Sequence, residues 1–466
     1  MSPQNKNALQ TFLVCCLFCA VNKICKEKSG VVYHSGNPGT DRLLDPFQVF
    51  LCKLAQILDS RKGGDTTTAL VALQGQDGPE YLFTSNNRKD GEFKSAKDFL
   101  TGFLKLIGEN PDDLNEKAAQ KRALWEILEF NFSRVDYYLK GILLSIRKCI
   151  DKTNDLDVLQ RLQEFEAKAD FLRDMSPELK DRCLSDCETL IKAIHFTKVD
   201  GFDRTISEHA GSDEDSACWS ELRHYFGRLY SNRQAVTYIL KAASDWPELF
   251  RSFTVQYVPS SRLTRVTLPK PQPALHSIIR EALPSIELDE YSHYLRDLQE
   301  RGLERNMNDK LKARPLRQLV HCEVHLHDFL TNKGIVESAS YWRNSMFIAT
   351  SKPPCRLCHY YFEDPDNDFQ VQASHMNVYP RWRLPEFPGD QDEDDTAHDE
   401  VFDDISYQMQ QDTLQLMKKQ VPQGKYHDSR TNTRGVTTVT EPGGDEHSGA
   451  EVLSMSSGTS EEGSGG

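Results

Sequence analysis

His321-Cys322-Glu323 and, about thirty residues later, Ser351-Lys352-Pro353-Pro354-Cys355-Arg356-Leu357-Cys358 decide how this chain is read. Imidazole and thiolate are metal-ligating groups, and here one His is followed by a Pro-led Cys-x-x-Cys pair. The periodicity predicts a helix over Leu316 to Leu330, started by Pro315 and stopped by Gly334, with His321 and Glu323 near its middle. Met346 to Ala349 is a short apolar run that fits a buried strand. Pro354 suits the first position of another helix, which puts Cys355 and Cys358 in its opening turn. There the helix dipole and a metal ion both favour the thiolate. The expected order is helix with H-x-E, strand, helix with C-x-x-C.

This set matches the zinc deaminase signature, H-x-E…P-C-x-x-C. His321, Cys355 and Cys358 are the candidate zinc ligands, and three ligands leave the fourth tetrahedral position for water. Bound zinc lowers the pKa of water from about 15.7 to roughly 7. Glu323 is not a ligand in this scheme but the proton shuttle. A lone C-x-x-C would equally describe a structural zinc site or two incidental cysteines; the full set, in this order and around a strand, is far more specific. His325 is the nearest competing ligand, but H-x-E-x-H is not the H-E-x-x-H of zinc proteases. In a regular helix, Glu323 would sit about 200° around from His321, aimed away from the metal. The superfamily nonetheless uses this spacing, which implies that H-x-E lies in or near the first turn rather than in the middle.

Composition narrows the class. The chain has 466 residues, 38% of them hydrophobic, a mean hydropathy of −0.58 and a net charge of −14. From Asp390 onward there are 17 acidic and 5 basic residues, so the first 389 are nearly neutral. Such a body offers no broad face for tight non-specific nucleic-acid binding. Twelve cysteines scattered through a chain this long point to a reducing compartment, the cytoplasm or nucleus. Cys183 and Cys187 lie one helical turn apart, but no nearby His or Cys completes a metal set, so they read as core. Ala8 to Val21 is apolar and resembles a signal-peptide core, but it contains three cysteines and no small-x-small cleavage site. It is too short to span a bilayer and reads as a buried helix; no membrane association is expected.

Along the chain, residues 1–44 hold this helix, a Val31-Val32-Tyr33 piece and a turn at Gly36 to Gly39. Asp45-Pro46 opens a helix with Phe47, Phe50, Leu51, Leu54 and Ile57 on one face. Thr68 to Leu73 and Glu80 to Thr84, around a Gly/Asp/Pro turn, read as a β-hairpin ending at Ser85-Asn86-Asn87-Arg88. Residues 89–312 read as a helical insertion. Leu124, Leu128, Val135, Leu139, Ile142 and Ile146 mark one long helix, Asp155 starts a second and Ser176-Pro177 a third. Gly211 to Ser216 is an exposed break, Pro259 to Pro273 an extended linker, and His276 to Lys312 more helix. Residues 313–388 carry the zinc motifs, with a strand at Phe369 to Ala373. Residues 389–466 are expected to be a disordered, dispensable acidic tail.

A helix, a hairpin, an H-x-E helix, a strand, a P-C-x-x-C helix and a last strand resemble the cytidine deaminase-like fold. That fold is an α/β domain of three layers, α/β/α, and here it is interrupted by a large all-helical insertion, α+β overall. More narrowly, the chain resembles the OTT-type nucleic-acid/nucleotide deaminase family, abundant in filamentous fungi. The resemblance rests on K-G-G-D-x-x-T-A-L (Lys62 to Leu70), the hairpin ending S-N-x-R and the late H-x-x-x-Y-x-x-W (His375 to Trp382). It implies zinc as cofactor and hydrolytic deamination of a nucleobase in a nucleoside, nucleotide or single-stranded nucleic acid. It also implies that Asn86 or Asn87 contacts the ribose or base; a turn signal is the alternative for this pair. His375, Tyr379 and Trp382 receive no role. A second reading is a catalytically silent scaffold that binds protein partners through its helical insertion. Retention of Glu323 favours the first, since a structural site needs no carboxylate beside an open position.

Overall fold

A computed structural model describes residues 3–423, apart from 30–43, 111–113, 211–215, 266–267, 269–272, 285–286, 313–316, 365–366 and 387–391. The expected Val31 to Tyr33 piece, the Gly36 to Gly39 turn, most of the Gly211 to Ser216 break and the chain beyond 423 lie outside the described residues.

The chain opens with α1 (Pro3–Ser29) and α2 (Pro46–Leu58). Asp45 caps α2 as the sequence predicts: its Oδ1 accepts from the amides of Phe47 and Gln48 at 2.8 and 2.9 Å, and Gln48 completes a capping box. The hairpin β1 (Thr68–Gln74) and β2 (Pro79–Ser85) follows. Helices α3 (Asp90–Glu109), α4 (Glu116–Phe130), α5 (Phe132–Ile150), α6 (Leu156–Ala169), α7 (Lys180–Asp200), α8 (Phe202–His209), α9 (Ala217–Asp245) and α10 (Glu248–Arg251) make up most of the insertion. The one long helix expected through Leu124 and Ile146 is two, divided at Asn131, whose Nδ2 turns aside to the Ile57 carbonyl at 3.0 Å. The apolar spacing runs across this break, so periodicity alone could not show it. Asp155 caps α6 as expected, while Ser176-Pro177 forms a turn and α7 begins at Lys180.

The insertion is not purely helical. It supplies β3 (Thr254–Tyr257), parallel to β2, and β4 (Thr264–Arg265), within the stretch expected to be an extended linker. After α11 (Leu275–Ala282), α12 (Ser292–Glu300) and α13 (Leu303–Lys312), β5 (Arg317–Gln318) pairs with β4. Strand β5 occupies the expected first turn of the H-x-E helix, so α14 (Cys322–Asn332) starts later. Strand β6 (Phe347–Thr350), α15 (Arg356–Phe362), β7 (Gln370–Val371) and α16 (Asp392–Lys419) complete the order.

The main sheet runs β3-β2-β1-β6-β7, with β1 antiparallel to both neighbours. Its three central strands, β2, β1 and β6, are buried on both faces, as near-continuous apolar runs require, while the edge strands β3 and β7 are partly exposed. Leu70, Ala72, Tyr81, Phe83, Phe347 and Ala349 face a core built with α2 and the insertion helices. Ala69, Val71, Leu73, Leu82 and Ile348 face a second core, built with α1, α11 to α16 and the start of the zinc motifs. The result is the three-layer α/β arrangement expected from the sequence.

The apolar helix α1 is longer than the run Ala8 to Val21 and is not too short for a bilayer: by length and composition Asn7–Lys28 could cross one, but 72% of its apolar window is buried inside the fold, as the buried-helix reading expects. The tail departs from expectation: residues 392–419 are helical, and the fold closes over Phe402, Ile405, Met409, Leu416 and Met417. Phe402, Ile405, Met409 and Leu416, spaced by three, four and seven residues, form one helical stripe with Met417 beside it, which average charge concealed. The stripe lies against α1, and Gln423 and Asn22 exchange hydrogen bonds at 2.7 and 2.8 Å. Ile405→Ala should therefore cost about 2–5 kcal/mol in urea unfolding. Tyr407→Ala, on the exposed face of the same helix, should stay within about 0.5 kcal/mol. Equal, small effects at both positions would mean that α16 does not dock.

Candidate metal centre

His321 is the N-cap residue of α14, with extended backbone (φ −66°, ψ 150°), and Glu323 stands in the first turn. This resolves the spacing problem: an N-cap side chain does not follow the helical 100° step, so imidazole and carboxylate can serve one site. His321 makes no side-chain cap of its own. The orphan Cys322 amide instead donates to Asn86 Oδ1 at 2.7 Å, across from the end of β2. The other end of Asn86 donates to the Gly64 carbonyl at 2.9 Å. Asn87 Nδ2 reaches Asp65 Oδ1 at 3.2 Å, and its amide reaches the Asp65 carbonyl at 2.9 Å. The Lys62-to-Leu70 motif and the hairpin's S-N-x-R ending are thus stitched together beside α14, with Asn86 the nearer to His321.

Cys355 is the N-cap of α15, and Cys358 lies in its first turn, as expected. The segment after β7 wraps this helix start. The Asn377 carbonyl accepts from the Arg356 amide at 3.0 Å, and Pro354 O accepts from the Ser374 hydroxyl at 2.9 Å and the His375 amide at 3.2 Å.

The three candidate ligand atoms converge. His321 Nδ1 lies 3.5 Å from Cys355 Sγ and 3.4 Å from Cys358 Sγ, and the two sulfurs are 3.5 Å apart. Zinc–nitrogen and zinc–sulfur bonds of about 2.0 and 2.3 Å, set at the tetrahedral angle, give ligand separations of roughly 3.5–3.8 Å. The residues fit a zinc ion, and this is the one His/Cys/Asp/Glu cluster of metal-binding geometry among the described residues. Both cysteines are buried, and Glu323 is only 4% exposed. Burial works against the Cys355 thiolate, but the Cys358 hydrogen bond and the His321 charge outweigh it, so Cys355 is held well below the usual thiol range. Cys358 goes the other way, raised by burial and by its hydrogen bond to Cys355; its sulfur also meets the Glu323 carboxylate. Such a set exchanges its remaining thiol proton for a metal ion.

His325 and His327 are turned elsewhere. His325 Nε2 donates to the Pro259 carbonyl at 2.8 Å, while His327 Nδ1 meets the Tyr361 hydroxyl at 2.8 Å, and burial pushes its pKa down to about 4. The cluster also gains residues to which the sequence assigned no role. Trp382 Nε1 donates to Cys358 Sγ at 3.3 Å. Tyr379 lies between His321 and His375, with ring centroids 6.0 and 5.7 Å away. The late H-x-x-x-Y-x-x-W motif was visible, but nothing local to it indicates that its Trp ends on a cysteine sulfur.

Beneath the cluster lies a buried ion network that pattern reading missed. Asp59 pairs with Arg134 from α5 and with Lys352 at 3.8 Å; it also accepts from Thr66 Oγ1 at 2.8 Å and Ser351 Oγ at 3.4 Å. Ser351 Oγ in turn accepts from the Thr68 amide at 3.0 Å. Burial raises the Asp59 pKa, but Arg134, Lys352 and the hydrogen bonds overcome it and leave the carboxyl below its ordinary value.

Residues 320–386 match the family model described as OTT_1508_deam:-like deaminase, so this segment is similar to that family. No curated protein and no solved structure matches the chain.

Two outcomes follow from this geometry. Trp382→Phe keeps the ring and removes the N–H, so it should weaken zinc binding about 10–100-fold in a chelator competition, with the fold intact. For Asp59, a depressed folded pKa means stability that is present above its unfolded value of about 3.9 and lost as pH falls through the folded value. Unfolding free energy should therefore drop on acidification below about pH 4, and Asp59→Asn should flatten that slope. Arg134→Ala should cost about 3–5 kcal/mol at neutral pH, because it strands a buried carboxylate. A slope unchanged in Asp59→Asn would remove Asp59 from the account.

Proposed function

We propose that this protein is a zinc-dependent hydrolytic deaminase acting on a nucleobase in a nucleoside, nucleotide or nucleic acid. The observation that carries the proposal is the placement of Glu323, buried in the first turn of α14 beside three ligand atoms spaced for zinc. His321, Cys355 and Cys358 would hold the ion. Zinc bound there would supply Lewis acidity that makes a hydroxide nucleophile available near neutral pH. Glu323 takes the proton released from water and delivers it to the ring nitrogen of the base; it then takes the proton of the hydroxyl newly added to the base carbon and passes it to the amino group, so that the C–N bond breaks, ammonia leaves and a carbonyl remains. Asn86 holds the α14 start with its side chain and lies at the edge where a ribose or base would enter. Twelve cysteines without a disulfide suit a reducing compartment, the cytoplasm or nucleus.

The scaffold reading predicts that Glu323 can be replaced without chemical consequence. Metal content and ammonia release should be measured for wild type, Glu323→Ala and Glu323→Gln, on nucleosides, nucleotides and single-stranded DNA and RNA. The expected result is about one zinc per chain in all three and a rate loss of roughly 10²–10⁴-fold in the mutants. Full activity in either mutant would rule out the shuttle. A zinc-loaded wild type that releases no ammonia across the panel would leave the scaffold.

A further inference from the structure

We propose that a small arginine ribbon beside the metal centre binds the phosphate of the substrate, so that the preferred substrate is a phosphorylated nucleoside, above all one within a single strand. The proposal rests on the deaminase reading for what occupies the metal centre, but its own observations are independent.

Strands β4 and β5 place Arg265 directly opposite Arg317. Residues opposite one another in an antiparallel pair project from the same face, and like charges there are destabilising. A third strand-like segment extends the ribbon: Leu319 and Trp382 form a parallel bridge, the Leu319 amide donates to Arg381 O at 2.8 Å, and Arg381 Nε donates to Arg317 O at 3.0 Å. Arg262 is exposed on the adjoining loop, next to Ser261, whose hydroxyl bonds both the N–H and the C=O of Val320 at 3.2 Å. Four arginines, Arg262, Arg265, Arg317 and Arg381, thus lie on adjoining segments, and among the described residues none of them forms an ion pair. Arg383, by contrast, does pair, with Glu386.

The sequence around the ribbon is equally one-sided. The described segments 259–265, 317–322 and 369–385 carry five basic residues and no Asp or Glu, where the chain's average of 70 acidic residues in 466 would put between four and five. A net charge of −14 therefore conceals a local excess of the opposite sign. An arrangement that sets guanidiniums side by side without acids is suited to an anion, and the planar fork of Arg matches phosphate oxygens in pairs.

Position identifies which anion. Arg317 is four residues from His321, at most about 13 Å of extended chain. Arg381 lies between Tyr379, whose ring faces His321, and Trp382, which bonds Cys358. Val320, held by the Arg262 loop, immediately precedes His321. A base at the metal centre would thus have its flanking phosphates over the ribbon, with Tyr379 as a stacking surface.

The test uses the full zinc-loaded chain with cytidine and adenosine, their 5′-monophosphates, and short fluorescein-labelled single strands of DNA and RNA. Binding is followed by anisotropy for the strands and by calorimetry for the small molecules. Affinity should rise from nucleoside to monophosphate to strand. The double variant Arg265→Glu/Arg317→Glu should weaken strand binding at least about tenfold, and removing two phosphate contacts should reduce the salt slope by about 1.4. Arg204→Glu, on exposed α8, should leave both unchanged, and circular dichroism should show each variant folded. A response confined to the monophosphates would assign the ribbon to a single terminal phosphate. Strand and monophosphate binding unchanged by the double variant would overturn the proposal. Glu323→Gln separates the two readings, because it should slow ammonia release roughly 10²–10⁴-fold while keeping strand binding. Strands held through the arginines without any deamination would sink the deaminase reading alone. Nucleosides deaminated as fast as nucleotides, with no effect of charge reversal, would sink the ribbon alone.

Discussion

One hydrogen bond, from the Cys322 amide to Asn86 Oδ1, sets the position of the His321–Cys355–Cys358 cluster. A helix beginning at Cys322 must satisfy its first amides from outside. His321 cannot serve as its own cap if its imidazole is to face two sulfurs, so the capping group comes from the end of β2, over 230 residues earlier. That arrangement frees His321 for the cluster and fixes the α14 start against the hairpin. The second helix start solves the same problem with the carbonyl of Asn377, which brings the chain of Tyr379 and Trp382 over the sulfurs. Both ligand-bearing helix ends are therefore held by backbone and amide groups that take no ligand position themselves.

The insertion is bound to this site by charge as well as by packing. Arg134 on α5 enters beneath the hairpin to meet Asp59, and the same carboxylate meets Lys352, three residues before Cys355. Tyr138 accepts from Arg134 and from Arg228 of α9, so two insertion helices share the contact. An isolated buried carboxylate or guanidinium would cost several kcal/mol, so each partner is required by the others. The insertion also adds β3 to the sheet and carries the β4 side of the arginine ribbon. Its role is thus structural at the floor of the site and electrostatic at its rim.

What the sequence made legible followed from short-range chemistry. Asp45-Pro46 and Asp155 announced helix starts because a cap is local, and the Pro-led C-x-x-C announced its own helix turn. The pair His321 and Glu323 was legible as a site, yet periodicity placed it mid-helix. Two residues of β5 sit where the apolar spacing continued, and such short pairing leaves no trace in a pattern. Helix α16 was hidden for another reason: Phe402, Ile405, Met409 and Leu416 form a clear stripe, but the surrounding acidic residues dominate any average. Partners such as Trp382 and Cys358, or Asp59 and Arg134, are joined only by the fold, and no spacing rule connects them.

The pairing of α1 with α16 has a consequence for how the chain is made. An apolar 27-residue helix is synthesised some 360 residues before the helix that covers its flank. At about 5–20 residues per second, that separation is roughly 20–70 seconds of synthesis. Throughout that interval Leu13, Leu17 and Phe18 lack their final surroundings, and the core behind the C-x-x-C helix is incomplete. Contacts this distant in sequence also carry a large loop-closure cost before they return any stability. Assembly of the second core is in this sense a late event that waits on the most distant part of its own chain.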